Sequence, residues 1–376
     1  MHTPDVEGIP VLRPQLPRTE RLLPYLQRID AARVYTNWGP LACEFEGRLA
    51  RALSLPEGGV VSASSGTSAL VGAILAVAGR ASEERPLALI PAFTFVATAT
   101  AAQQCGYIPY LADVDAESWM LNPDDLLRRA ALNQVGLVVP VAPFGRPVPQ
   151  AAWRDFHDRT GIPVVIDGAA SFEGLLELPE RYLGPIAVAL SFHATKSFAT
   201  GEGGCVALND IDLGERVTQA LNFGIRVGRE SQMAHINGKL SEYHAAVGLA
   251  ELDCWAEKHA SLCAVAGAYR ERLAGTELAP RLLVAPDISS SYVLMFCRSA
   301  VEAERIQNSL RQSKVEFRLW YGRGLHRHGY FSALPHETLE VTDSIAPRVL
   351  GLPLAVDLSP AAIGYVAEAL LHGSGA

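Results

Sequence analysis

The chain has 376 residues, of which 49% are apolar and 19% charged. That is enough to bury a sizeable core, and the charge content is too low for a disordered or coiled-coil protein. The formal net charge is −8 with both signs scattered and no long basic block, which excludes nucleic acid and anionic membrane as main partners. Six dispersed cysteines (Cys43, Cys105, Cys205, Cys254, Cys263 and Cys297) form no CxxC pair and have no histidine at metal-ligand spacing. They predict reduced thiols, no disulfide framework and no metal site. The start, Met1-His2-Thr3-Pro4-Asp5-Val6-Glu7, has neither the basic head nor the apolar run of a signal peptide, so a soluble cytoplasmic protein is expected.

Taken in chain order, residues 1–15, with Pro4, Pro10 and Pro14, read as an arm. Short apolar runs then alternate with alanine-rich helical stretches. Leu87-Ala88-Leu89-Ile90 precedes a helix over Val96–Gln104, and Leu137-Val138-Val139, Pro163-Val164-Val165-Ile166, Ile186–Phe192 and Cys205-Val206-Ala207-Leu208 follow. Runs apolar at nearly every position predict strands buried on both faces of a largely parallel sheet. The longest of them, such as Gly136–Val141, are too short to span a bilayer. Residues 241–273 have helical periodicity. Residues 16–255 are expected to form a large α/β domain and residues 256–376 a smaller α+β domain, whose best strand candidates are Ser289–Arg298 and Lys314–Trp320.

Three segments could carry chemistry. Val61-Ser62-Ala63-Ser64-Ser65-Gly66-Thr67-Ser68-Ala69-Leu70 reads as a strand end, a small-residue turn and a helix start. Unpaired amides there suit an anion, although an ordinary N-capped helix explains the same residues. Asp167 follows a buried strand, where open α/β sheets place their ligands. It reads equally as a functional acid or a helix cap. Lys196, in Ser191-Phe192-His193-Ala194-Thr195-Lys196, follows another buried strand in a run without other charge. Burial would make it a nucleophile; the alternative is a lysine reaching to solvent. His193 reads as a structural hydrogen-bonding residue, and the absence of a GxSxG elbow leaves a serine hydrolase without support.

These segments, with Pro91-Ala92-Phe93-Thr94-Phe95-Val96-Ala97-Thr98, Gly201-Glu202-Gly203-Gly204, Asn37-Trp38-Gly39-Pro40 through Glu46, and Asn237-Gly238-Lys239-Leu240-Ser241-Glu242 through Leu249, resemble in order the motifs of the DegT-type sugar-nucleotide aminotransferases. The likeness runs over about residues 34–255 and weakens beyond. It implies a fold-type-I pyridoxal 5'-phosphate (PLP) transferase: a large domain with a mostly parallel sheet sandwiched by helices, and a smaller C-terminal α+β domain. By resemblance Lys196 is the Schiff-base lysine and proton shuttle, and Asp167 the acid at the pyridine nitrogen. Gly66, Thr67 and Ser191 match the phosphate cup, and Phe95 the aromatic that stacks on the ring. Asn237 matches an asparagine that reaches the phosphate of the neighbouring subunit, which implies a homodimer with shared active sites. Arg226, with Arg229, is a candidate for the substrate diphosphate, against the alternative of a solvated loop, and Tyr321 and His326 for the sugar, against a packed aromatic and a surface histidine.

The resemblance implies transfer of an amino group from L-glutamate to a nucleotide-linked ketosugar, with a dTDP-4-keto-6-deoxyhexose favoured. Pyridoxamine 5'-phosphate would be the intermediate form of the cofactor, and the kinetics would be ping-pong. A cyclic ketone without a nucleotide is the alternative acceptor, and a binding protein that kept the fold without turnover is the rival from another class. Lys196 argues against the deoxygenating branch, where histidine replaces the lysine. Three departures stand out: Ala170 where the family often has glutamine or histidine, Gly238-Lys239 where it has an aromatic residue and arginine, and Arg318-Leu319-Trp320-Tyr321-Gly322-Arg323-Gly324-Leu325-His326, which resembles a variant of the family's small-domain substrate segment.

Overall fold

A computed structural model describes residues 8–128 and 132–375. The apolar runs become strands β1 (Val60–Ala63), β2 (Leu87–Pro91), β3 (Ile108–Ala112), β4 (Val135–Val138), β5 (Ile166–Asp167), β6 (Val188–Ser191) and β7 (Gly204–Ala207). β3, β2 and β4 run parallel, as do β5 and β6, while β7 lies antiparallel between β6 and β1. Single bridges Val138–Val164 and Val141–Asp167 carry β4 into β5, which joins the two groups of strands into one curved sheet.

The continuous apolar pattern has a direct cause. Val188 and Leu190 point into one buried cluster with Phe45, Trp153 and Leu249, whereas Ala187 and Ala189 point into another with Leu70, Ile74 and Ala99. Helices therefore cover both faces, and no position along β6 has a solvent side. This is the α/β fold with a mostly parallel central sheet that the resemblance implied.

In the C-terminal part, β8 (Leu282–Leu283), β9 (Leu294–Phe296) and β10 (Val349–Gly351) form an antiparallel sheet in the order β10-β9-β8, packed with the helices Ala300–Gln312 and Pro360–Ser374. The helix Glu242–Leu273 passes residue 255 without a break. Its first half packs through Ala245 and Leu249 on the core of the large sheet, and its second half through Val265 and Tyr269 on the C-terminal core.

Both C-terminal strand expectations need correction. Of Ser289–Arg298 only Leu294–Phe296 pairs, because the serines before it bond to Glu173 and to the backbone of Ser197 instead of to a ladder. Lys314–Trp320 makes only the single bridges Val315–Ile9 and Arg318–Gly351, and Trp320 and Tyr321 turn into an aromatic cluster. Within the expected arm, residues 1–7 lie outside the described residues. Ile9 and Val11 are buried, and Ile9 packs in the C-terminal core.

The sheet brings its chemistry together through close backbone contact. Gly204 pairs with both Ala63 and Ser191, and a Cβ there would lie 2.5 Å from the carbonyl oxygen of Leu190 and 2.8 Å from the amide nitrogen of Gly66. Gly204→Ala is therefore expected to lower stability by about 1–3 kcal/mol, read from the urea midpoint. Gly267→Ala, in a helix interior with nothing within 4 Å of the added atom, should leave stability unchanged or raise it.

Candidate active site

The C-terminal ends of β1, β5 and β6 open onto one cavity of about 480 Å³. Gly66, Thr67, Phe95, Asp167, Ser191 and Lys196 all line it. Ligands collect at this edge of an open α/β sheet because the strand ends and following helix N-termini leave backbone groups unpaired there.

Lys196 sits in a loop pinned on both sides. The amides of Phe192 and Ala194 donate to the carbonyls of Gly203 and Gly201 at 2.9 Å each, and the amide of Lys196 donates to His193 at 2.8 Å. The side chain reaches into the cavity, where its Nζ donates to the hydroxyl of Tyr292 at 3.0 Å. Burial pulls its pKa down to about 8, with the Asp167 carboxylate opposing the fall. At pH 7 roughly one amine in ten is then the free base, far more than for a solvated lysine.

Asp167, only 8% exposed, ends β5. Its carboxylate accepts from the Thr98 hydroxyl at 2.7 Å and from the Ala169 amide at 3.1 Å. Thr98 reaches it from the helix Val96–Gln104 and is itself paired with Thr94 at 2.9 Å. Burial pushes the carboxyl pKa up, while both hydrogen bonds and the Lys196 charge hold it back. A buried acid with so few donors is costly unless a cationic or N–H group joins it from the cavity.

The remaining wall suits a phosphate. Ser65 caps the helix Gly66–Val77 by accepting from the Ser68 amide at 3.0 Å, which leaves the amides of Gly66 and Thr67 without acceptors in the helix. A Cβ on Gly66 would sit 2.6 Å from Cβ of Ser191, so glycine alone lets the turn and the end of β6 close into a cradle. Small hydroxyl residues, free amides and a positive helix end are the donor set that a phosphate monoester requires. The cradle, the buried acid and the cavity amine together fit PLP.

Other candidates fall elsewhere. Tyr321 lines the cavity, stacked on Phe144 with centroids 4.6 Å apart, and its hydroxyl accepts from the Phe144 amide at 3.2 Å. His326 does not line it: its Nε2 is bonded to Asp343 at 2.8 Å, and its Nδ1 is buried without a partner. Arg226 is exposed and ion-paired with Glu215, and Arg229 and Asn237 are exposed and do not line the cavity. Asn237 accepts from Lys239 at 2.6 Å. His193 lies at the cavity wall and bonds to Thr195 through Nδ1 at 2.8 Å.

Sequence reading missed Thr98 and Tyr292, and reached Arg318 only as the first residue of the segment Arg318–His326. Thr98 stands three residues after Phe95, one helical turn on, and that spacing could have pointed it at the sheet. Tyr292 comes from the C-terminal part, and nothing in its local pattern announces a cavity more than 90 residues away in sequence.

Comparison with known proteins bears on the family. The model of the DegT/DnrJ/EryC1/StrS aminotransferase family matches residues 18–371. Protein Rv3402c of Mycobacterium tuberculosis is 35% identical over 380 residues, which span 97% of this chain and 90% of that protein. The dTDP-4-amino-4,6-dideoxy-D-glucose transaminase of Shigella dysenteriae is 30% identical over 245 residues, 65% of this chain and 64% of that enzyme. The crystal structure of DesI in the presence of its TDP-sugar product matches with a TM-score of 0.86 at 30% identity, covering 98% of this chain and 94% of that one. Among the described residues no group of histidine, cysteine and acidic side chains is placed to hold a metal, and no helix is long and apolar enough to cross a membrane. With the match running through nearly the whole chain, the protein belongs to the DegT/DnrJ/EryC1/StrS aminotransferase family and is a PLP-dependent aminotransferase.

Proposed function

We propose that the enzyme moves an amino group from L-glutamate to a keto group on a nucleotide-linked sugar, with Lys196 as the proton-carrying residue in both halves. The observation that carries this reading is the partly desolvated amine of Lys196, opening onto the same cavity as the buried carboxylate of Asp167. Support for a sugar acceptor comes from likeness to the Shigella transaminase and to DesI, whose names specify a dTDP-sugar and a TDP-sugar. A dTDP-4-keto-6-deoxyhexose is the favoured acceptor.

In this reading Gly66, Thr67 and Ser191 would hold the cofactor phosphate, Phe95 would pack against the ring, and Asp167 would keep the ring nitrogen protonated. When bound, PLP supplies an electron sink for cleavage of the bond to the α-proton. Nζ of Lys196 removes that proton from the donor and returns one on the acceptor side, which its lowered pKa allows near neutral pH. The C-terminal wall adds a cation. Arg318 lines the cavity 5.1 Å over the Trp320 ring and forms no ion pair among the described residues. It is the residue we assign to a donor carboxylate.

The enzyme would work as a homodimer. Phe95 is 57% exposed at the cavity, and Tyr35, Phe223, Val227 and Tyr243 are also exposed, apolar surface that a second subunit would cover. In this reading the exposed Asn237 would reach the cofactor phosphate of the neighbouring subunit. The six free cysteines fit the reducing cytoplasm.

Three measurements test this. Adding L-glutamate to the PLP-loaded protein should bleach the visible band, and a nucleotide-linked ketosugar should restore it; Lys196→Ala should do neither. Restoration by a cyclic ketone without a nucleotide, and by no nucleotide sugar, would contradict the acceptor class. Arg318→Ala should raise KM for glutamate about tenfold or more by loss of a charged contact, with a smaller change in kcat. For the dimer, mixing inactive Lys196→Ala with Asn237→Ala subunits should yield hybrids with one intact site. Sedimentation as a monomer at working concentration would refute the shared site.

A further inference from the structure

The Lys196 amine has one hydrogen-bond partner among the described residues, and it comes from the C-terminal part of the chain. Tyr292 Oη lies 3.0 Å from Nζ of Lys196. Its ring is 6% exposed and held edge-on by Phe144 and Trp320, with centroids 5.2 and 5.4 Å away. The three serines before it fix the segment from behind. The amide and hydroxyl of Ser290 donate to the buried Glu173 at 2.8 and 2.6 Å. The hydroxyl of Ser289 reaches Ser291 Oγ at 3.0 Å, and Ser291 Oγ accepts from the amide of Ser197 at 2.8 Å. Ser197 directly follows the lysine, so Tyr292 and Lys196 are bound into one unit across the junction of the two parts of the chain.

We propose that Tyr292 is a positioning residue for Lys196, whose hydroxyl holds the amine at one point of the cavity wall in both of its protonation states. This rests on the reading of Lys196 as the cofactor lysine. A lysine side chain has four rotatable bonds, and in a cavity of about 480 Å³ an untethered amine would sample many positions. A phenol accepts a hydrogen from the ammonium and donates one to the free amine, so the same contact survives loss of the proton. Burial, together with the carboxylates of Asp167 and Glu173, pushes the Tyr292 pKa up, and the group therefore stays a hydroxyl. No other neighbour takes this part. Asp167, His193, Glu202, Arg318 and Tyr321 share the cavity wall, and Arg13 and Lys258 stand on the far side of the lysine loop, but none hydrogen-bonds Nζ. Ala170, packed in the same cluster as Tyr292, has no polar side-chain atom to offer.

The test reads Lys196 without the cofactor. In cofactor-free protein, the rate at which trinitrobenzenesulfonate labels Lys196 is followed against pH by peptide mass spectrometry, for wild type and Tyr292→Phe. Removing the acceptor disfavours the ammonium, so the labelling midpoint should fall by about 0.5–1 pH unit. In the loaded enzyme kcat for the glutamate half-reaction should fall about tenfold while KM stays within about twofold, a split that general loosening of the fold would not give. Ser291→Ala, which unties the anchor and leaves the phenol, should shift the midpoint in the same direction by less. A Tyr292→Phe variant that melts like wild type and keeps its labelling midpoint overturns the proposal. A wild type that never develops a visible band with PLP fails for a different reason: it removes the reading of Lys196, and this inference with it.

Discussion

Two groups that prefer water, the amine of Lys196 and the carboxylate of Asp167, are held in the wall of one cavity and largely desolvated by the protein around them, and much of the architecture serves to make that tolerable. Burial drives each toward its neutral form, while their mutual attraction and the Thr98 and Ala169 donors oppose the drift. The outcome is an amine that can lose its proton near neutral pH and an acid still short of partners on its cavity side. A chain that needed only stability would have filled these positions with apolar residues, as it did at Ile166, Val188, Ala189 and Leu190.

Rigid support makes the arrangement reproducible. The sheet supplies Asp167 and Ser191 from adjacent strand ends, and the antiparallel β7 threads between β6 and β1 so tightly that only glycine fits at position 204. From the other side, a cluster of Phe93, Trp119, Phe144 and Tyr292 seals the base of the cavity against the C-terminal sheet. The glutamate–serine network around Ser289–Ser291 ties that wall to the lysine loop. The cavity is thus shared between the two parts of the chain, and its shape depends on how they pack along the unbroken helix Glu242–Leu273.

The sheet and its strand-end residues were legible in the sequence because both follow from local rules. Strands buried on two faces read as continuous apolar runs, and a charged residue at the end of such a run is conspicuous, as at Asp167 and Lys196. The helix Val96–Gln104 was legible to the residue. The C-terminal part was not, because its apolar runs are short and their pairing is decided by contacts distant in sequence. Ser289–Ser291 have the composition of a strand edge, but their hydroxyls are spent on Glu173, and only Leu294–Phe296 pairs. Likewise, His326 sits in a segment that promised substrate contact, yet its partner is Asp343, which no local pattern couples to it. Tyr292 escaped notice for the same reason: its importance lies entirely in what it faces.

The most direct test is to load the purified protein with PLP, reduce it with borohydride, and locate the added mass by peptide sequencing. Attachment at Lys196, lost without redistribution in Lys196→Ala, is the result expected if the buried amine at the end of β6 is the cofactor's anchor. Attachment at another lysine, or no attachment while the protein remains folded, would contradict the assignment on which the rest of the site depends.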